Sequence, residues 1–184
     1  MSKLLYTILI AISLVLMACP YDSEVELCTY EEALKTDKKL QDIWVAFNED
    51  GSRDEVLIEK GNKTVLFVSH KHYGENKKQE YLKKYRAYST DISGVNLFTI
   101  EKDDNTYNYC KYAFTSKNEL YIQFVDKTYM ENNLKVDSVD TESIRTFLGE
   151  HVNKEDLYTN KMEFYRKYSP EYEKIKIFLR KSGF

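Results

Sequence analysis

The chain has 184 residues, of which 31% are charged, and its formal net charge is −3. This length suits one domain with a single core. The acidic balance argues against nucleic acid as a main partner, because binding to phosphates needs a concentrated basic face.

The first residues have the pattern of an export signal. Lys3 supplies a positive charge, and residues 4–18 follow without any charge. This apolar run is shorter than the roughly 20 residues that cross a bilayer as a helix, so it predicts a cleaved signal peptide over residues 1–18. A signal-anchor helix is the alternative.

The run ends in Leu16-Met17-Ala18-Cys19, which resembles the lipobox of bacterial lipoproteins. The resemblance implies that diacylglycerol is attached to the sulfur of Cys19, that the signal is cut before it, and that the new amine is acylated. Two or three acyl chains hold a protein on a membrane stably. We therefore expect a lipid-anchored protein of the bacterial cell envelope, on the exported side of the inner membrane.

Cys28 and Cys110 are the two remaining cysteines. The exported side of a membrane is oxidising, so the two can form a disulfide. Alternatively, Cys110 lies in a strand-like run and is a small buried hydrophobic residue. The sequence leaves both alternatives open.

Residues 19–28 lack hydrophobic periodicity, which predicts a tether, and a single domain follows over residues 29–184. Thr29 and Glu32 have the spacing of a capping box, and this spacing predicts a short helix from Tyr30 to about Lys35.

Beyond residue 40, runs of aromatic and β-branched residues alternate with turn residues, which is typical of strands and tight turns. The predicted strands are, in chain order, Ile43–Phe47, Glu55–Glu59, Thr64–His70, Tyr81–Tyr88, Val95–Glu101, Tyr107–Phe114, Leu120–Val125 and Met162–Tyr168. Alternation in the seventh strand predicts that Leu120, Ile122 and Phe124 face the core.

Helices are predicted near residues 141–152 and at the C-terminus. Asp140 suits the N-cap of the first, in which Ile144, Phe147, Leu148 and Val152 form one apolar stripe. Pro170 is predicted to end the last strand, before a basic helical segment. That segment either covers the sheet or lies on an anionic membrane surface.

A long meander hides its edges only by closing, and eight strands enclose side chains or one small ligand. The sequence therefore predicts a mainly β fold, an eight-stranded antiparallel up-and-down barrel. The element order and Trp44 on the first strand resemble the lipocalin-like (calycin) proteins. In lipocalins the Trp of a G-x-W motif closes one barrel end, whereas Asp42 stands in place of the glycine here.

Candidate chemistry is sparse. His70 and His72 have the spacing of two zinc ligands on one strand face, but no third ligand is near in sequence, so no metal is predicted. The segment from Asn48 has its glycine, Gly51, at the wrong position for an EF-hand loop. No phosphate-binding loop, nucleophile elbow or catalytic thiol motif is present, which predicts neither a cofactor nor an enzyme.

Tyrosine is unusually frequent, with 16 residues, and Tyr107, Tyr109 and Tyr112 lie close together in one strand. Such side chains either stack on sugars or partner proteins, or form the wall of a barrel.

The export signal and the barrel together predict that the protein binds or carries a small apolar ligand at a membrane. The alternative is a filled barrel whose outer surface binds an envelope protein or a polysaccharide. An internal cavity would favour the first function, and an exposed aromatic patch without a cavity would favour the second.

Overall fold

The structure is a computed structural model that describes residues 19–136 and 138–182. The predicted signal peptide, including the first three lipobox residues, lies outside these ranges. Within them no helix is both long enough and apolar enough to span a bilayer.

The described residues form nine strands, three α-helices and two short 3-10 helices. The strands are β1 (Asp22–Ser23), β2 (Ile43–Phe47), β3 (Arg53–Lys60), β4 (Leu66–Tyr73), β5 (Gln79–Ile92), β6 (Val95–Glu101), β7 (Tyr107–Ser116), β8 (Glu119–Phe124) and β9 (Met162–Arg166). The α-helices are α1 (Lys127–Asn133), α2 (Thr141–His151) and α3 (Pro170–Ser182), and the 3-10 helices are Lys38–Leu40 and Glu155–Leu157.

Strands β2 to β9 close into an eight-stranded antiparallel barrel, as predicted. Neighbours in sequence pair from β2 to β8, and β9 closes the barrel by pairing with both β8 and β2. The two-residue β1 adds to β7, where Asp22 pairs with Asn108. Closure pairs every strand of the barrel with two neighbours, which removes most of the free edges through which all-β proteins associate.

The barrel has two different ends. Its open end carries the hairpin connections 48–52, 74–78 and 102–106, and its closed end carries the connections 61–65, 93–94 and 117–118. Because side chains alternate along a strand, every second residue points inward. Leu120 is buried in the barrel interior, and Ile122 and Phe124 pack against the same cluster, as predicted.

A second core lies outside the barrel wall. The stripe of α2, namely Ile144, Phe147, Leu148 and Val152, packs on the outward-facing residues of β5 to β7. The predicted N-cap of α2 is confirmed, since the Asp140 carboxylate accepts a 2.8 Å hydrogen bond from the Ser143 amide. We call this group the outer core; its buried members are Leu27, Ile92, Leu97, Tyr109, Val125, Met130, Ile144, Phe147, Leu148, Val152, Leu157 and Tyr158.

The N-terminal segment packs on the barrel. Leu27 is fully buried in the outer core, and Cys28 is buried with Val65 and Tyr88. Residues 19–28 are therefore part of the domain and not the predicted tether, because they bury apolar side chains that a tether would leave in water. The chain then crosses the outer wall to the closed end.

The helix predicted from Tyr30 is only a single turn. The Thr29 amide donates to the Glu32 carboxylate over 3.1 Å, and the Ala33 amide donates to the Thr29 carbonyl over 3.1 Å. The capping interaction predicted from the sequence is present. Only one turn of helix follows it, because the next backbone N–H donates to a different part of the chain. The Leu34 amide donates to the Ser89 carbonyl of β5.

Helix α3 runs along the outside of the barrel from β9. Pro170 is its first residue, a position where proline lacks no needed donor. Strand β9 already ends at Arg166, so Pro170 begins the helix and does not end the strand. Tyr172 is buried against Phe47, with ring centroids 5.7 Å apart. The C-terminal segment therefore covers the barrel wall, one of the two predicted alternatives.

Candidate ligand cavity of the barrel

The barrel interior contains a cavity of about 200 Å³. Its walls are mostly apolar, because the inward-facing positions of the strands carry aliphatic and aromatic residues. The aliphatic and aromatic residues and the cysteine that line the cavity are Leu40, Val56, Ile58, Leu66, Val68, Ala87, Phe98, Ile100, Cys110, Tyr112, Ile122, Phe124, Met162 and Phe164. The other lining residues, which carry polar groups, are Asp54, His70, Tyr85 and Asn108. A largely apolar cavity with a few polar groups is the usual form of a small-molecule site.

Trp44 lies in the barrel interior at the closed end, next to the cavity residues but not in the cavity lining. The indole is 1% exposed, and its Nε1 donates a 2.8 Å hydrogen bond to the Leu40 carbonyl. The Arg166 guanidinium lies 4.7 Å from the Trp44 ring and is paired with Asp42. The indole N–H therefore has a hydrogen-bond partner, and the buried ring fills part of the barrel interior at the closed end.

The strands of the barrel extend to different lengths at the open end, which is the opening of the barrel. The pairing of β5 with β6 begins at Arg86 and Glu101, although β5 itself begins at Gln79. The first part of β5 is thus paired with β4 alone within the described residues, and the hairpin of β4 and β5 projects beyond its neighbours. Met162, which lines the cavity, is 37% exposed. Solvent therefore reaches the cavity wall at this opening.

A cluster of polar side chains borders this opening. Strand pairing places Asp54 opposite His72, and Val56 opposite His70. The Nε2 atom of His70 lies 2.7 Å from Oδ1 of Asp54, and Nδ1 of His72 lies 2.9 Å from the same oxygen. The Asn48 amide donates to Oδ2 over 2.9 Å. The buried carboxylate thus accepts three hydrogen bonds.

These contacts fix the charge of Asp54. Burial by itself would raise the pKa of the Asp54 carboxyl, but the hydrogen bonds from His70, Asn48 and His72 outweigh burial and lower this pKa to about 2. An ionised carboxylate only accepts hydrogen bonds, so Nε2 of His70 and Nδ1 of His72 must both be the protonated nitrogens. Nδ1 of a neutral His70 is then an acceptor at the cavity wall.

Tyr81 holds the two imidazoles in place. Its ring stacks on His72 with centroids 5.1 Å apart and meets the His70 ring edge-on at 5.4 Å. An imidazole oriented by a carboxylate can take up a proton or accept a hydrogen bond from a bound molecule. At this position His70 can bind a hydroxyl or amine group at one end of an apolar molecule.

The pairing of the two histidines with Asp54 was not predicted. The sequence shows that His70 and His72 share a strand face, but their partner comes from β3 and depends on the strand register. A signal for Asp54 does exist, because it is in phase with the inward-facing Val56 and Ile58. Among the described residues no three His, Cys, Asp or Glu side chains are placed to hold a metal ion.

The three cysteines lie apart. Cys19 is exposed, and its carbonyl accepts a 2.9 Å hydrogen bond from the Lys127 amide at the start of α1. Cys28 and Cys110 are both free thiols in different clusters. Cys110 takes the second predicted role, that of a small buried hydrophobic residue in the cavity wall, where burial raises the pKa of its thiol to about 12.

The tyrosines of β7 belong to the architecture. Tyr109 is fully buried in the outer core, Tyr107 packs against that core, and Tyr112 lines the cavity. Burial raises the pKa of the Tyr112 hydroxyl to about 12, helped by the nearby Asp37 carboxylate, which accepts its hydrogen bond. The three rings therefore do not form one outer stacking surface.

A scan against protein-family models, a search of curated proteins and a search of solved structures each found no match for this chain.

Proposed function

We propose that the protein is a lipid-anchored, lipocalin-like protein of the bacterial cell envelope whose barrel binds or carries a small, largely apolar molecule. The observation that carries the proposal is the apolar cavity of about 200 Å³ inside the barrel. An apolar cavity of roughly 150 Å³ in a protein core is enough to bind benzene. The ligand is therefore about the size of one ring or a short chain.

The polar cluster at the opening gives this ligand an orientation. Its apolar body lies among Phe98, Ile100 and Ile122, and its polar end reaches His70. Because the proton on Nε2 of His70 bonds to Asp54, the free nitrogen accepts a hydrogen bond. A ligand with one hydroxyl or amine group fits better than a carboxylate, which would lie near the negative charge of Asp54.

The lipid anchor fits the position of Cys19. Pro20, the residue after Cys19, forms an isolated β-bridge with Asp126. Asp126 lies two residues after Phe124, and Phe124 lines the cavity. Acyl chains on Cys19 would hold the open end of the barrel close to the bilayer, where apolar molecules are abundant.

The likeness to lipocalin-like proteins is supported by the closed eight-stranded barrel and by Trp44 at its closed end. The alternative of a filled barrel with an outer binding surface has less support, because the interior contains a cavity and the three tyrosines of β7 are buried or half-buried.

Native mass spectrometry of the full protein, extracted from its own membrane in a mild detergent, tests the proposal. We expect a fraction of molecules to carry one small ligand that is lost on activation. We also expect an N-terminus at Cys19 bearing two or three acyl chains. An empty barrel in every preparation, together with failure to bind added single-ring compounds, would refute ligand binding. An unmodified Cys19 would refute the anchor.

A further inference from the structure

A second pocket of about 200 Å³ lies outside the barrel at its open end. It is formed where α3 meets the connections between β2 and β3 and between β4 and β5. Its lining residues are Phe47, Asn48, Gly51, Ser52, Arg53, Tyr73, Gly74, Lys77, Lys176, Leu179 and Arg180. This pocket is separate from the barrel cavity, from which it differs in both position and charge.

Four cations from three parts of the chain line this pocket, and none of its lining residues is acidic. Arg53 comes from β3, Lys77 from the β4–β5 connection, and Lys176 and Arg180 from α3. Only Lys176 has an ion-pair partner among the described residues, Glu173 at 3.7 Å. In a chain with a net charge of −3, such a concentration of positive charge is costly unless an anion offsets it.

Arg53 is held ready for an anion. Its guanidinium lies 4.3 Å from the centre of the Tyr73 ring, which restricts the side chain without using its five N–H donors. A planar guanidinium with free donors binds phosphate oxygens in pairs. Two carboxylates near Arg53 in sequence have other partners and do not line the pocket. Asp50 accepts hydrogen bonds from Ser52, and Asp54, which follows Arg53 directly, is bonded to His70, His72 and Asn48.

We infer that this pocket binds the phosphate of an anionic phospholipid headgroup. The choice of a lipid, and not of a free phosphate, rests on the proposed anchor at Cys19, which belongs to the same end of the barrel. The exposed apolar Ile177 lies beside Lys176 on α3, and such a pair suits the interface between headgroups and acyl chains. The pocket would fix the rotation of the tethered barrel and turn its opening to the bilayer.

The test uses the full chain in a nonionic detergent. It is titrated with dihexanoylphosphatidylglycerol, which is anionic, with the zwitterionic dihexanoylphosphatidylcholine, and with inorganic phosphate. The amide signals of Gly51 and Gly74, both in the pocket lining, report binding by NMR. We expect saturable shifts with the anionic lipid and at least tenfold weaker binding of the zwitterionic one.

A matched pair of double variants locates the site. Lys176→Gln with Arg180→Gln removes two cations from the pocket, and Lys174→Gln with Lys181→Gln removes two exposed cations of α3 that do not line it. We expect the pocket variant to bind the anionic lipid about 25-fold more weakly, since each of the two cations near an anionic surface contributes about fivefold. The control should stay within about twofold.

Three results would overturn the inference: equal loss in both variants, equal binding of the two lipids, or binding of inorganic phosphate without binding of the anionic lipid. Binding of both phosphate and the anionic lipid, weakened in the pocket variant only, supports it. Acylation of Cys19 and ligand binding in the barrel are measured separately, by the mass of Cys19 and by ligand retention. A negative result in either measurement does not affect the interpretation of the lipid titration.

Discussion

The barrel interior and the outer core are made from opposite faces of the same strands, yet they are packed differently. In the outer core eight side chains have no exposure at all, namely Leu27, Leu97, Tyr109, Val125, Met130, Ile144, Leu148 and Leu157. The buried residues of the interior each keep 1–8% exposure and surround the cavity. The difference indicates that close packing in the outer core stabilises the fold, whereas the barrel interior is packed less closely and leaves room for a ligand.

The largest expected effect compares one substitution in the two regions. Leu148→Ala removes a fully buried side chain from the outer core and should lower the free energy of unfolding by about 4 kcal/mol. Leu66→Ala, in the cavity wall, should cost at least about 1 kcal/mol less, because one side of Leu66 already faces the void and loses fewer contacts. Urea denaturation of both variants measures this. Equal costs would contradict the packing difference.

Substitutions that enlarge a side chain test the same packing difference by adding volume to each region. Val125→Phe adds volume where the outer core has none to spare and should cost about 3 kcal/mol. Val68→Phe extends into the cavity and should change stability by less than about 1 kcal/mol while abolishing ligand binding. Calorimetry gives the first quantity, and titration with a single-ring compound gives the second. A destabilised Val68→Phe that still binds the compound would mean that the interior is not hollow.

A smaller effect concerns charge at the opening. The pKa of Asp54 is lowered from 3.8 to about 2, so its ionised form adds about 2 kcal/mol to stability above pH 4. This contribution is lost as the pH falls from about 4 towards 2, where the folded protein also takes up the proton. Asp54→Asn should therefore be about 2 kcal/mol less stable than the natural protein at pH 7.

The pH dependence separates this effect from a packing defect. The difference between Asp54→Asn and the natural protein should shrink between pH 4 and pH 2 in urea denaturation. The exposed Asp156 supplies the control, since Asp156→Asn should differ little from the natural protein at any of these pH values. A difference that stays constant with pH would contradict the charge assigned to Asp54.

Much of the barrel is predictable from local patterns. The bounds of β2 and β6 agree with the sequence analysis, and the others differ by a few residues at strand ends, where tertiary contacts decide. The Ser93-Gly94 pair is typical of a tight turn, because glycine tolerates a positive φ. In the structure both residues have a positive φ, 50° and 83°, in a two-residue hairpin connection. Helix α2 is predictable because its N-cap residue and its apolar stripe both indicate a helix over the same residues.

Other features depend on contacts between distant residues. Helix α1 buries only Met130, so it has no apolar stripe, and its sole local signal is the Asp126 cap. The N-terminal segment looks like a tether because its buried residues lack a period. The Asp54 cluster needs the register of β3 against β4, and the basic pocket needs the placement of α3. No local pattern contains either fact.

The central claim, a hollow interior beside a filled outer core, is tested most directly by methyl NMR during a titration with benzene. Ile58, Ile100 and Ile122 line the cavity, while Ile92 and Ile144 lie in the outer core. We predict saturable shifts of the first three δ1-methyl signals and none for the last two. Shifts in both groups, or in neither, would contradict the account.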